Sequence, residues 1–295
     1  MDETEPFEAG DQADAFGMLS DPKRITILQA LWEITDEEAS FSELRDRAGI
    51  EDSGQFNYHL DKLTDQFVAK HGDTYRLQLA GIQVVGSMLA GTYTKGDGVD
   101  PIPIDDPCPA CGGSLLFEYR DEWVSIDCRE CDITSKFGVP PGVFAGYDRD
   151  ELPDVAQRYG RNTVRQLRNG FCPYCEGEIH PTVKTLDDAE TGLPDQFSAV
   201  PFVQFVCDRC NMDMTVDIGA SLQDHPSVVS FYYEQGVDPT ELSFWEFGAV
   251  TRDQASIQSE DPFRATVTYD KDDTQVTLTV DRSLHVLDSD RVTDQ

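Results

Sequence analysis

The chain is 295 residues long, enough for two or three domains, and 39% of it is apolar, which suffices for packed cores and excludes a disordered chain. It carries 56 acidic against 23 basic residues, a formal net charge of −33, spread along the whole length and not gathered in one tail. Such acidity suits a halophilic cytoplasmic protein, because at molar salt a Debye length of about 3 Å screens most self-repulsion, and it disfavours an anionic lipid surface.

Met1 is followed by Asp2, Glu3, Glu5 and Glu8, where a secretory signal needs basic and then apolar residues, so a cytoplasmic location is expected. The long uncharged stretch 77–94 holds Gln78, Gln83, Ser87 and Thr92 and is too polar to cross a bilayer, so no membrane role is expected.

After an acidic leader (1–10), a short helix is predicted from Ala13 to Leu19. Asp21 then caps a second helix with Pro22 at its first position. Ile25, Leu28, Leu31 and Trp32 give that helix a core-facing stripe, and it ends near Ile34. Ser42 is expected to cap a short helix carrying Leu44 and Ala48 and stopped by Gly49. A fourth helix, from about Ser53 to Gln66, places Phe56, Leu60, Leu63 and Phe67 on one face. Two short helices joined by a tight turn make a helix-turn-helix. Residues 68–79 then read as two strands around His71, Gly72 and Asp73, a wing.

The segments DPKRITILQAL (Asp21 to Leu31), FSELRDRAGI (Phe41 to Ile50) and GQFNYHLDKL (Gly54 to Leu63) resemble the ArsR-type winged helix-turn-helix transcription regulators. The resemblance covers residues 11–95, about a third of the chain. It implies a homodimer whose recognition helix reads the major groove of double-stranded DNA. Many ArsR sensors carry a cysteine pair at the start of the helix before recognition; here that place holds Phe41, Ser42, Glu43 and Leu44, so only the DNA-binding scaffold is implied.

With Phe56, Leu60 and Leu63 inward, Ser53, Gln55, Asn57, Tyr58 and Lys62 form the expected reading face. Gln and Asn can pair with adenine edges and Lys can neutralise phosphate, although a merely polar surface would look the same. Lys70, His71 and Arg76 are candidate backbone contacts on the wing, whereas His59, beside Leu60, reads as packed or capping. A helix from Ala80 to Tyr93 carries Ile82, Val85 and Leu89 on one stripe, fit for intramolecular packing or, as the resemblance implies, for a dimer interface. Gly96, Asp97, Gly98, Asp100, Pro101 and Pro103 read as a linker (96–106).

All eight cysteines fall in Cys-x-x-Cys pairs: Cys108/Cys111, Cys128/Cys131, Cys172/Cys175 and Cys207/Cys210. Two such pairs grip a tetrahedral ion from both sides, so two structural zinc ions are expected, one per four-cysteine set, with the long spacing between Cys175 and Cys207 requiring an insertion. Iron in a rubredoxin-like site is the chemical alternative; disulfides do not suit the compartment. Strands at 115–119, 123–127 and 133–137 complete a first zinc ribbon (107–170 with its helix, Asp150 to Arg168). Strands at 202–206 and 214–218 flank the second knuckle, and a helix follows from Ser221 to Gln235. The tail, with strands at 263–269, 275–280 and 284–287, reads as a small antiparallel sheet against the second ribbon (171–295). The expected fold class is therefore α+β: a winged helix-turn-helix, two zinc ribbons with interspersed helices, and a C-terminal sheet.

From Val155 to Cys175 there is no acidic residue, and Arg158, Arg161, Arg165 and Arg168 share one helical stripe, with Leu152, Tyr159, Thr163 and Leu167 roughly opposite. They serve either intramolecular ion pairs or a second phosphate-contacting surface. The five histidines are scattered and no phosphate loop or nucleophile motif occurs, so an enzyme is not expected. The functional expectation is a sequence-specific transcription regulator. The alternative is a protein-binding adaptor to the transcription machinery with a helix-turn-helix that does not bind DNA.

Overall fold

A computed structural model describes residues 12–34, 38–94, 96, 98–131, 133–185, 200–251 and 253–293; the acidic leader lies outside them. The chain divides into two compact units, Met1–Thr94 and Lys95–Gln295. Among the described residues no helix is long and apolar enough to cross a membrane.

The first unit opens with α1 (Gln12–Leu19) and α2 (Pro22–Glu33). Asp21 caps α2 by accepting the Lys23 N–H at 2.9 Å, and Ile34 ends it. A two-residue strand, β1 (Ala39–Ser40), leads into α3 (Phe41–Arg47), then α4 (Ser53–Leu63), the hairpin β2 (Val68–His71) and β3 (Thr74–Leu77), and α5 (Leu79–Leu89). The three strands form one antiparallel sheet in the order β1-β3-β2.

Three local expectations shift. The cap of α3 is Ser40, whose hydroxyl accepts the Glu43 N–H at 3.3 Å, so the helix starts before Ser42. The fourth helix stops at Leu63, because Thr64 turns extended and Asp65 is left-handed (φ 74°). Phe67 reaches the core from the turn and not from the helix. On α5 it is Gly81 and Val85 that face inward; Ile82 and Leu89, expected on the Val85 stripe, are exposed. The core of this unit is Ile27, Leu28, Leu31, Leu44, Phe56, Leu60, Leu63, Val68 and their neighbours. Truncating one of these, Leu60 to Ala for example, would cost about 2–5 kcal/mol.

The second unit begins where a linker was expected. Val99–Pro107 is a strand, β4, paired antiparallel with β5 (Ser114–Arg120), and the sheet continues through β6 (Trp123–Cys128) to β7 (Thr134–Gly138). Pro101, Pro103 and Pro107 have no N–H to give, which an edge strand tolerates, while Ile102 still packs inward. After a 3-10 turn at 149–151 comes α6 (Leu152–Arg168). Its N-terminal Leu152 and Ala156 belong to the core of the first ribbon, and Leu167 belongs to that of the second.

β8 (Ile179–Thr185), β9 (Pro201–Cys207) and β10 (Asp213–Asp217) form the second ribbon, in the order β10-β9-β8; the insertion at 186–199 lies outside the described residues. The helix expected at 221–235 is two: α7 (Ile218–Leu222), capped by Asp217, and α8 (Pro226–Glu234), with Gly236 left-handed beyond it. The tail forms a four-stranded antiparallel meander of β11 (Ala255–Glu260), which the sequence reading missed, β12 (Phe263–Lys271), β13 (Thr274–Val280) and β14 (Val286–Thr293). Val267, Val276 and Leu278 share one core with Cys172, Val183, Val203 and Phe205, so the meander is built onto the second ribbon.

Candidate metal centres and nucleic-acid face

Each Cys-x-x-Cys pair sits in the same local structure. The N–H of the first cysteine donates to the carbonyl five residues on: Cys108 to Gly113, Cys128 to Ile133, Cys172 to Gly177 and Cys207 to Met212, all within 3.1 Å. In three of them the residue four on returns its N–H to that cysteine from a left-handed conformation: Gly112, Glu176 and Asn211. Such a turn aims both sulfurs to one side. It also crowds the sulfurs against Gly177, where a Cβ would stand 3.2 and 3.3 Å from Cys175 Sγ and Cys207 Sγ.

The knuckles meet in pairs as the spacing predicts. Sγ–Sγ separations are 3.8 Å for Cys108 and Cys131 and 3.6 Å for Cys111 and Cys128; in the second set they are 3.7 Å for Cys172 and Cys210 and 3.5 Å for Cys175 and Cys207. A disulfide needs about 2.05 Å. A tetrahedron with metal–sulfur bonds of about 2.3 Å has edges of roughly 3.8 Å, so the sulfurs are placed for an ion and not for one another. All eight are free thiols, and each set of four lies within 4.8 Å. The two clusters can therefore each hold a metal ion, a donor set compatible with zinc. Backbone N–H groups reinforce the sulfurs, Gly113 on Cys111 and Glu130 on Cys128, both at 3.4 Å. The N–H groups of Cys210 and Arg209 and the neighbouring sulfurs hold Cys207 down to about 7. Although the Gly177 N–H favours its thiolate, desolvation and the three sulfurs around it push Cys175 up to about 12. For all four sulfurs to ionise at this separation, a cation would have to stand among them.

On α4, Phe56, Leu60 and Leu63 are buried and Ser53, Gln55, Asn57, Tyr58 and Lys62 are all exposed. Asp52, as N-cap, accepts the Gln55 N–H at 2.7 Å, and Asn57 donates its amide to Asp61 at 2.8 Å, so the face carries acid as well as amide. His59 is buried, its Nδ1 3.8 Å from Asp21. On the hairpin, Lys70 lies over the Tyr75 ring, 5.4 Å from its centroid, Arg76 is exposed, and His71 is held by Glu38 at 3.2 Å. Glu38 also accepts from Thr74, and these two hydrogen bonds keep its carboxyl below the usual range.

The arginine stripe is not displayed as one surface. Arg161 is only 6% exposed and donates to Gln223 Oε1 (2.8 Å) and to the carbonyls of Pro239 (2.8 Å) and Thr240 (3.2 Å), which removes it from any phosphate-contacting role. Arg165 forms a two-pronged pair with Asp224 at 2.7 and 2.9 Å, and Arg158 rests near the Tyr147 ring. Arg168 alone of the four has no acceptor or aromatic partner among the described residues. The helix wheel gives relative direction correctly, but α6 lies against two cores and buries part of the arginine side too.

One further cluster has no signal in the spacing: Glu178, His180 and Asp208 converge at the edge of the second ribbon, His180 Nε2 lying 3.1 Å from Asp208 and 3.7 Å from Glu178. All three are exposed and satisfy one another.

A family described as a domain of unknown function (DUF7351) matches residues 105–286, from the end of β4 into β14 and thus both cysteine clusters. The chain belongs to the DUF7351 family. A second domain of unknown function (DUF7347) matches residues 12–88, so the first unit is similar to that domain in front of the DUF7351 region. No curated protein and no solved structure matches the chain.

Proposed function

We propose that the chain is a DNA-binding transcription regulator: its first unit is a winged helix-turn-helix that binds duplex DNA as a homodimer, and its second unit carries two structural zinc ions. The observation that carries this reading is the division of α4 into a buried side, Phe56, Leu60 and Leu63, and a solvent side of Ser53, Gln55, Tyr58 and Lys62, with α3 before it and the β2–β3 hairpin after it. In a winged helix the second helix of such a pair enters the major groove. Leu79, Ile82 and Leu89, 70%, 42% and 61% exposed, lie three and seven residues apart along α5 and supply an apolar stripe for a partner copy. Four sulfurs per ion leave no open coordination position, which supports a structural role for zinc.

Asp52 and Asp61 on the same face favour a second reading, a protein-binding adaptor, because carboxylates there repel phosphate. Footprinting and titration with duplex DNA in molar salt separate the two. The regulator protects two half-sites about one helical turn apart. Gln55→Ala then relaxes base preference by about 1–3 kcal/mol at one position, and Lys62→Ala lowers the salt slope by about 1 with all sequences weakened alike. Absence of protection, or indifference to both substitutions, leaves the adaptor.

A further inference from the structure

The end of α6 and the segment joining α7 to α8 enclose a cleft of about 420 Å3, within the range of small-molecule sites. Val164, Leu222 and Pro226 give it an apolar wall. Beside the neutral Asn169 and Ser221, the latter's hydroxyl spent on the Asp217 carbonyl, its charged and titratable side chains are Arg165, Arg168, Asp224 and His225, and they are not equivalent. Arg165 and Asp224 also line the cleft, but they neutralise each other through their two-pronged pair. Arg168 has no carboxylate or carbonyl partner among the described residues, which makes it an uncompensated guanidinium in a chain with a net charge of −33.

His225 completes the arrangement. Its Nδ1 accepts the Ser227 N–H at 3.3 Å, so in the neutral ring the proton sits on Nε2, a donor with no partner among the described residues. Burial, and then the charge of Arg168, keep this histidine below its ordinary pKa and hence neutral near pH 7. The start of α8 adds no free donor: Pro226 has no N–H, Ser227 is used by His225 Nδ1, and Val228 and Val229 donate to the His225 carbonyl.

We propose that this cleft binds a small organic monocarboxylate, its carboxyl on Arg168 with help from His225 Nε2–H and its apolar body against Val164, Leu222 and Pro226. One unpaired positive charge and one neutral donor suit a single negative charge; a phosphate dianion would need a second cation, and the other cation lining the cleft among the described residues, Arg165, belongs to Asp224. A concave cleft with a carboxylate in its wall also suits a small ligand better than a nucleic-acid backbone. The site lies wholly within the second unit and is independent of the DNA-binding reading.

The test is NMR titration of the full, metal-loaded chain in molar potassium chloride, following Arg168 Nε–Hε and the His225 ring, with sodium benzoate as probe. Benzoate should shift both groups saturably, and benzamide, its neutral counterpart, should bind at least about tenfold more weakly, as should benzoate to Arg168→Gln, for loss of a charge-assisted hydrogen bond. The proposal is overturned by any of four results: no saturable shift, equal binding of benzamide, inorganic phosphate binding as tightly as benzoate, or displacement of benzoate by duplex DNA. The wild-type comparison of benzoate with benzamide decides the matter even if Arg168→Gln does not fold.

Discussion

The two ribbons share the same knuckles and differ in what stands behind them. In the first, the cysteines close a four-stranded sheet over a smaller core, Ile102, Leu115, Phe117, Val124 and Ile126 with Leu152 and Ala156 of α6 and Trp245. In the second, Cys172 and Cys207 are wholly buried and belong to one large core that also contains α7, α8 and the C-terminal meander. The same chemistry is therefore set in two structural contexts. Where the supporting core is smaller, binding a metal ion would contribute more of the folding energy; where a large core surrounds the knuckles, an ion would order one end of a structure with more supports.

The largest expected effect separates those contexts. If each cluster holds zinc as proposed, Cys108→Ser should release one of two ions and unfold β4–β7, since apparent binding energies of structural zinc reach about 10–16 kcal/mol. Cys175→Ser should also release one ion, yet leave β12 and β13 protected. Metal analysis with hydrogen exchange reads both; loss of protection in the meander of the Cys175 variant would erase the distinction.

A smaller effect is expected at the joint. Arg161 sits mid-way along α6, between the end that packs on the first ribbon and the end that packs on the second, and holds residues 223, 239 and 240. Arg161→Gln should lower stability by about 2–4 kcal/mol, because two buried acceptors, Gln223 Oε1 and the Pro239 carbonyl, lose their donors. If both ribbons unfold in one denaturant transition in the wild type and in two in this variant, α6 is what couples them; an unchanged midpoint would mean that the buried guanidinium is dispensable.

The smallest effect compares two glycines. A Cβ at Gly177 would stand 2.8 Å from Arg209 Cβ and press on two ligand sulfurs, so Gly177→Ala should cost about 1–3 kcal/mol and speed metal loss to a chelator. At Gly113 a Cβ would stand 2.9 Å from Glu130 Cβ and displace the carboxylate that holds Ser114, but its nearest neighbours are all Glu130 atoms, so Gly113→Ala should cost about 1–3 kcal/mol too while speeding metal loss less. Equal chelation rates would show that the second knuckle has slack that its crowding does not suggest.

Much of this was legible in the residues because the determinants are local. Asp21 and Pro22 start α2 where expected, and the cysteine spacing pairs the knuckles that meet. What escaped depends on neighbours distant in sequence. Three prolines argue for a linker at 99–107 unless β5 is there to offer an edge. The four arginines share a face of α6, but only the positions of Gln223, Asp224 and residues 239–240 decide that two are consumed and Arg168 is left. The cleft is likewise invisible in the sequence, since α6 meets the α7–α8 segment across more than fifty intervening residues.

The proline-rich edge strand bears on solubility. In molar salt, charges more than about 3 Å apart are screened, so a net charge of −33 no longer keeps copies of the chain from meeting. An open sheet edge then invites a neighbouring copy to add its own strand. Pro101, Pro103 and Pro107 leave gaps in the row of donors along β4, so a foreign strand could not complete its ladder there. Protection against self-association on that side is written into the covalent chain, and it holds at any ionic strength.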